Sequence, residues 1–532
     1  GFHLSHQERL FMSESLGIKP TPALEMLGIR KRFGSILANN KVDFTVYKGE
    51  IHALLGENGA GKTTLMNILC GLYRADEGEI RLNGKQVHIH SPRDMIDFGI
   101  GMVHQQFMLI RPFTVAENMV FGLDTGMGLF LELKSVEQRV EDLSSSYKLT
   151  VNPRARVEEL SVGAQQRVEI IKALYRGAEL LILDEPTAVL TPQEANELFQ
   201  ILRDLKAQGH TVIFISHKLD EVMDIADRIT VLRDGSKMAT VNRGETNKKD
   251  LARMMIGREV LFRLEKSPPN YGEVVLDVTD LTVLCEDGRP VLKDISFCLH
   301  AGEILGIAGI DGNGQTELAQ TLIGMRNADQ GMIKLGGKDV TRSKLKDRLK
   351  LGFGYIPEDR AADGLILSFS VCENVILDTH NELPYSRGLY LNGNEVLTNT
   401  KRLIGEFDVK THGPHEKAGK LSGGNLQKLV LAREVDRDPR VLIASQPTRG
   451  LDVGATEYVR KRILEQRDKG RAILLISADL DEIKGLSDRI MVIYEGQIMG
   501  LVDADSAQVE TLGLMMAGTK RMDLPKGEPE HG

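Results

Sequence analysis

The sequence predicts an α/β chain made of two tandem copies of one plan, and three observations predict it. "VDFTVYKGEIHALLGENGAGKTTLMNILCGL", residues 42–72, runs from alternating apolar residues through a short apolar strand and a glycine-rich turn into a helix-period pattern. "ISFCLHAGEILGIAGIDGNGQTELAQTLIGM", residues 295–325, repeats the plan. The spacing is also steady: Gly56 and Gly309 lie 253 residues apart (309 − 56), as do Gln105 and Glu358, while Ser161 and Ser422 lie 261 apart (422 − 161), as do Asp184 with Ser445 and His217 with Ala478. The halves are duplicates, and the second has about eight extra residues between its middle and late motifs.

At 532 residues the chain is too long for one compact core. The expected organisation is an N-terminal extension over residues 1–22, a first domain over 23–262, a linker over 263–272, a second domain over 273–520 and a tail over 521–532. The linker falls in "RLEKSPPNYGEV", where charge, two prolines and a glycine interrupt the periodic pattern. A net charge of −8 and a pI near 6.0 argue against a nucleic-acid binder. Cys70, Cys285, Cys298 and Cys372 show no metal-ligand spacing and read as reduced thiols. The strongest apolar runs, such as "TVIFIS" and "AILLIS", have strand length, so the chain is not expected to cross a bilayer.

"GENGAGKT", Gly56 to Thr63, fits G-x-x-x-x-G-K-[ST] between a strand and a helix. Its glycines let backbone N–H groups wrap phosphate oxygens, Lys62 reaches the β- and γ-phosphates and Thr63 ligates Mg²⁺. The candidate nucleotide-binding residues are therefore Gly56, Glu57, Asn58, Gly59, Ala60, Gly61, Lys62, Thr63 and Thr64. "LLILDEP", Leu180 to Pro186, is a buried strand ending in two acids, and core packing explains its apolar run but not the carboxylates. Asp184 is placed to hold the metal, and Glu185 to orient or deprotonate an attacking water. The strand "TVIFIS" delivers His217 to the γ-phosphate side.

These motifs, in order with Gln105 of "MVHQQFML", "LSVGAQQ" and "ISHKLDEV", resemble an ABC-transporter ATPase over nearly the whole chain. The second half, with "GIDGNGQTEL", "IPEDR", "LSGGNLQK" and "QPTRGLDVGA", is similar to the fused ATPase subunits of bacterial simple-sugar and nucleoside importers, and "SPRDMIDFGIGMVHQQFMLIRPFTVAEN" lies closer to the nucleoside branch. The resemblance implies two tandem P-loop (RecA-like) ABC ATPase domains, each with an antiparallel β portion and a helical signature subdomain. It implies a head-to-tail sandwich in which Lys62, Thr63, Gln105, Asp184, Glu185 and His217 of the first half are completed by Ser422, Gly423, Gly424, Asn425 and Asp452 of the second. Glu185, His217 and Gln105 are then the catalytic candidates, and Thr63, Gln105 and Asp184 the metal-ligating ones. Phe33 matches the aromatic under adenine or else is a core residue, and Phe107 to Phe113 matches the loop that meets a membrane partner or else is buried.

The other composite site collects the losses: Gln315 for the lysine, Glu358 for the glutamine, Ser445 and Gln446 for the acids, Ala478 for the histidine, with Val162 and Ala164 in the opposing signature and Thr191 opposite Asp452. Random decay scatters defects over both sites, so their concentration supports the head-to-tail assignment and one productive site per chain. The resemblance implies ATP and Mg²⁺ as cofactors, integral-membrane permease subunits as partners and, indirectly, an extracytoplasmic substrate-binding protein. The chain is then peripheral at the cytoplasmic face of the cell membrane. The competing readings are a ribose or other simple-sugar importer, a soluble tandem ABC protein acting on ribosome or DNA, and a non-hydrolysing scaffold. Ribosome-acting members usually carry two intact sites and a long charged linker, which this sequence lacks.

Overall fold

The computed structural model describes residues 22–34, 36–105, 107–122, 133–187, 190, 192–257, 266–285, 287–310, 312–388 and 390–522. The chain divides between residues 260 and 261 into two compact units.

In the first unit, β1 (Pro22–Phe33), β2 (Ile36–Tyr47), β4 (Glu77–Leu82) and β5 (Lys85–Val87) form an antiparallel sheet in the order β2-β1-β4-β5. The alternating residues of residues 36–47 bury Val42, Phe44 and Val46 on one face, as a period of two requires. Strands β3 (Ile51–Leu55), β6 (Ile100–Val103), β7 (Leu180–Asp184), β8 (Thr211–Ser216), β9 (Arg228–Arg233) and β10 (Ser236–Asn242) build a second sheet in the order β10-β9-β3-β8-β7-β6. Its central strands pair in parallel, and every residue of β3, β7 and β8 is buried, which is why these stretches read as unbroken apolar runs. Helices α1 (Lys62–Leu69), α2 (Leu133–Ser146), α3 (Val162–Tyr175) and α4 (Pro192–Ala207) complete the elements that position the site.

The second unit repeats this plan. Strands β11 (Val274–Leu284), β12 (Pro290–His300), β14 (Gln330–Leu335) and β15 (Lys338–Asp339) form its antiparallel sheet. Strands β13 (Ile304–Ala308), β16 (Phe353–Ile356), β17 (Val441–Ser445), β18 (Ala472–Ser477), β19 (Arg489–Tyr494) and β20 (Gln497–Asp503) form the other, in the order β16-β17-β18-β13-β19-β20. Helices α5 (Gln315–Ile323), α6 (Gly393–Glu406), α7 (Gly423–Asp436) and α8 (Val453–Asp468) belong to it. Strand β13 starts 253 residues after β3 (304 − 51), and β17 starts 261 after β7 (441 − 180), so the sequence repeat is a repeat of strands in register. Two apolar clusters fill this unit, one packing the antiparallel sheet against the β13–β17 sheet and the other joining that sheet to α6, α7 and α8.

Three boundary details depart from the expected domains. Pro22 already pairs with Tyr47 in β1. Residues 266–272 of the expected linker are fastened to the second unit. Lys266 Nζ donates to the Ser487 carbonyl at 2.6 Å and lies 3.4 Å from Asp488, Arg467 donates to the Ser267 carbonyl at 2.9 Å, and Gly272 N–H reaches the Ala301 carbonyl at 2.9 Å. The polar groups that read as linker are instead satisfied by tertiary partners. Met522, beyond the expected domain end at 520, donates its N–H to the Met499 carbonyl at 2.8 Å.

Among the buried cations of the second unit, one stands where the first unit has an apolar residue. Arg348 is 1% exposed and donates to the carbonyls of Ser343, Thr321, Leu322 and Thr341, closing the C-terminal end of α5. The matching position in the first unit is Met95. Cys70 and Cys372 are buried, Cys285 and Cys298 half-buried, and the four are not joined in disulfides. Burial pushes the Cys70 thiol up to about 12.

Candidate active site

The first phosphate loop joins β3 to α1. At Gly61 φ is 96°, and a side chain there would run into the Ala38 carbonyl and lie 2.7 Å from Asn39 Nδ2. A Cβ at Gly56 would stand 2.6 Å from the Leu232 carbonyl oxygen. Gly56 and Gly61 are thus required by close backbone approach, and Gly59 by its φ of 85°. Gly61 precedes α1 without a side-chain cap, which leaves the first amides of the helix for a ligand. Lys62 is folded onto its own loop, donating to the carbonyls of Gly56 at 2.7 Å and Glu57 at 3.0 Å. Glu57, Asn58, Gly59 and Ala60 form the intervening turn, and Thr63 and Thr64 lie in the first turn of α1.

Strand β7 carries Asp184 to the same edge. Burial and the adjacent Glu185 raise the Asp184 carboxyl to about 6, against the pull of Lys62. Burial also works to raise Glu185, but His217, Lys62 and Lys218 outweigh it and hold that carboxyl below its usual range. The neighbouring acids are thereby driven apart, with Glu185 kept as a carboxylate. Two of the sequence candidates converge on it: His217 Nδ1 lies 2.9 Å from Glu185 Oε1, and Gln105 Nε2 donates to Glu185 Oε2 at 3.2 Å. Glu185 itself has φ 46°.

The signature residues lie in the second unit, at the start of α7. Ser422 takes the N-cap position without accepting from a helix backbone N–H, and its Oγ accepts instead from the Asn425 side-chain Nδ2 at 2.8 Å. Asn425 Oδ1 accepts from Lys410 N–H at 2.9 Å, so this amide braces the loop before the signature. Gly423 lies beside the Arg360 guanidinium, and Gly424 beside Ala455. Asp452 caps α8, accepting from Ala455 N–H at 2.8 Å. By contrast Ser161, at the matching place in the first unit, caps its own helix through Ala164 N–H. Val162 is exposed, and Thr191 lies outside the described residues.

Phe33 is 41% exposed, edge-on to Tyr73 at 5.2 Å, with Lys31 Nζ 5.4 Å from the ring centre, so it is not a core residue. The loop from Phe107 to Phe113 is not buried either, since Met108 is 63% exposed. A device that the sequence reading missed holds this loop: Asn118 accepts from Ile110 N–H at 2.8 Å and donates to the carbonyls of Ile110 and Thr114. Asn374 makes the same three contacts with Ile366 and Ser370. The signal was available in the repeated "FTVAEN" and "FSVCEN".

In the second unit Glu358 pairs with Arg449, Gln446 Oε1 accepts from Ala478 N–H at 3.2 Å, and Ser445 is buried. The substituted groups are therefore engaged with each other and with the backbone.

The ABC transporter family pattern matches residues 39–188 and 292–449. The chain is similar to the nucleoside import ATP-binding protein NupA of Lactococcus lactis, with 49% identity over 93% of this chain and 98% of that protein. It is 48% identical to the guanosine import ATP-binding protein NupO of Bacillus subtilis, over 94% of this chain and 99% of that one. The glucose import ATP-binding protein TsgD13 of Haloferax volcanii is 45% identical, over 93% and 96% respectively.

Proposed function

The chain belongs to the ABC transporter family, with a matching cassette in each half, and from that premise we propose that it is the energy-coupling ATPase subunit of a nucleoside importer. The observation that carries the hydrolytic reading is the Glu185 carboxylate, on which Gln105 and His217 converge at the edge that also holds Lys62. A carboxylate so held is suited to orient an attacking water and take its proton. In this reading Lys62 and the loop amides hold the phosphates, Phe33 lies against adenine, and Ser422, Gly423, Gly424, Asn425 and Asp452 complete the site in the closed state.

Thr63, Gln105 and Asp184 offer hard oxygen donors, which suit Mg²⁺. The raised Asp184 fits a cation beside it, because a positive charge relieves both its burial and its repulsion by Glu185. When bound, the ion would offset the charge of the phosphates.

Among the described residues no helix is long and apolar enough to cross a membrane. The reading therefore assigns transport to permease subunits, reached through the Phe107–Phe113 loop at the cytoplasmic face, and substrate delivery to an extracytoplasmic binding protein. The two relatives near half identity, both nucleoside or guanosine import proteins, support the choice of substrate. A simple sugar is the second reading, favoured by the 45% identity to a glucose import protein.

Uptake of labelled nucleoside, ribose and glucose by cells carrying the natural chain or Glu185→Gln tests both. Loss of nucleoside uptake alone is expected. Loss of sugar uptake alone would keep the mechanism and overturn the substrate, whereas unchanged uptake of all three would remove the importer reading.

A further inference from the structure

The second half keeps the backbone of the phosphate loop and changes what it offers a ligand. Gly312 and Gly314 have φ 90° and 104°, against 85° and 96° at Gly59 and Gly61. Gln315 stands in the place of Lys62, and its Nε2 donates to the Ile310 carbonyl at 3.1 Å. Ile310 matches Glu57, so the amide reproduces one of the contacts made by the lysine in the first loop. It does so without charge. Asn313, where the first loop has Ala60, adds a brace: its Nδ2 donates to the same carbonyl at 3.1 Å, and its Oδ1 accepts from Glu495 N–H at 2.9 Å.

The other side of the amide matters more. Gln315 is 7% exposed, and its Oε1 is buried without a hydrogen-bond partner. Glu317 stands where the first loop has Thr64, in the first turn of α5. Relative to the first loop, this one has lost an ammonium group and gained a carboxylate and an unpaired acceptor. Phosphate oxygens are themselves anionic acceptors, so each change acts against them. The amides at the start of α5 remain, but they face a local charge altered by two units.

We propose that the second phosphate loop does not take ATP at concentrations that fill the first, and that Gln315 and Glu317 are the residues that exclude it. The chain then binds one ATP. This rests on the reading of the first loop as the ATP site.

The test is equilibrium dialysis of the full chain against Mg²⁺ and a labelled β,γ-imido analogue of ATP. One equivalent per chain is expected, with any second site weaker by on the order of 100-fold. Lys62→Ala should abolish that equivalent, Gln315→Lys/Glu317→Thr should add a second, and Gln315→Lys alone should strengthen the second site part-way. Two equivalents of similar affinity in the natural chain would overturn the proposal and leave the ATPase reading intact. One equivalent persisting in Lys62→Ala would do the same. If both loop variants fold, as judged by circular dichroism, and neither gains binding, the exclusion is not the work of these side chains and the proposal falls. No binding by the natural chain would overturn it together with the ATPase reading.

Discussion

Strand β7 ends in Asp184 and a Glu185 with φ 46°, whereas β17 ends in Ser445 and a Gln446 with φ 47°. A non-glycine residue in that region costs roughly 1–2 kcal/mol, and the second half retains the cost after losing the carboxylate. The same hydrogen bond accompanies both: Glu185 N–H to the Ile215 carbonyl at 3.0 Å, and Gln446 N–H to Ile476 at 2.7 Å. The left-handed turn therefore serves the junction between strands, and the first half presents its carboxylate on a geometry that the fold maintains anyway. Side-chain chemistry has been removed from one copy without disturbing the frame.

The largest expected break in this comparison is kinetic. Glu185→Gln should lower ATP hydrolysis by about 10²- to 10⁴-fold, the range for a positioned acid–base group. Gln446→Glu should change turnover by less than about twofold, because Gln315 and Ala478 still stand where the first half has Lys62 and His217. A second hydrolysing site in Gln446→Glu, seen as doubled burst amplitude, would end the asymmetry.

A smaller effect is expected on stability. Arg348→Met installs the residue that the first half uses at the matching place, Met95, and removes a donor from each of four carbonyls, of which Thr321 keeps the Gly324 N–H. The second unit should lose about 1–3 kcal/mol, read from urea unfolding followed by hydrogen exchange in β13. Unchanged stability would mean that the arginine is dispensable and that the two halves are closed alike.

The smallest effect concerns acid. His52 is wholly buried between Glu50 at 2.9 Å and Thr230 at 2.8 Å, and the matching residue is Leu305. Burial holds the imidazole below its ordinary value of 6.5, despite the opposing pull of Glu50. Unfolding lets it take up a proton, so its contribution to stability is complete above that value and is lost as pH falls below it. Pulse proteolysis in urea at pH 7.5 and 5.5 should show the first unit losing more than the second, by at most about 1.4 kcal/mol per pH unit from this group. An equal loss in both units would assign the acid sensitivity elsewhere.

What the sequence made legible were features set by neighbours along the chain. The loop glycines, the apolar strands ending in acids and the offsets of 253 and 261 are local patterns, and all reappear as elements in register. The convergence of Gln105 and His217 on Glu185 was implied only by resemblance, since the partners lie 80 and 32 residues away. The Asn313 brace, the Arg348 closure and the pairing of Glu358 with Arg449 were not legible, because each depends on a partner brought close by folding. Lys266 shows the same limit: a charged residue beside two prolines reads as linker until its partner, 221 residues away, is known.

The four thiols turn the inequality of the halves into an experimental handle. Cys70, buried and with its thiol raised to about 12, presents almost no thiolate at neutral pH, and Cys372 is buried as well. A maleimide dye added to the native chain finds its more accessible thiols at Cys285, just after β11, and Cys298, on β12, both in the second unit. The unaltered protein thus carries its own address for a fluorophore, and a brief labelling reaction marks the second unit while leaving the first phosphate loop untouched.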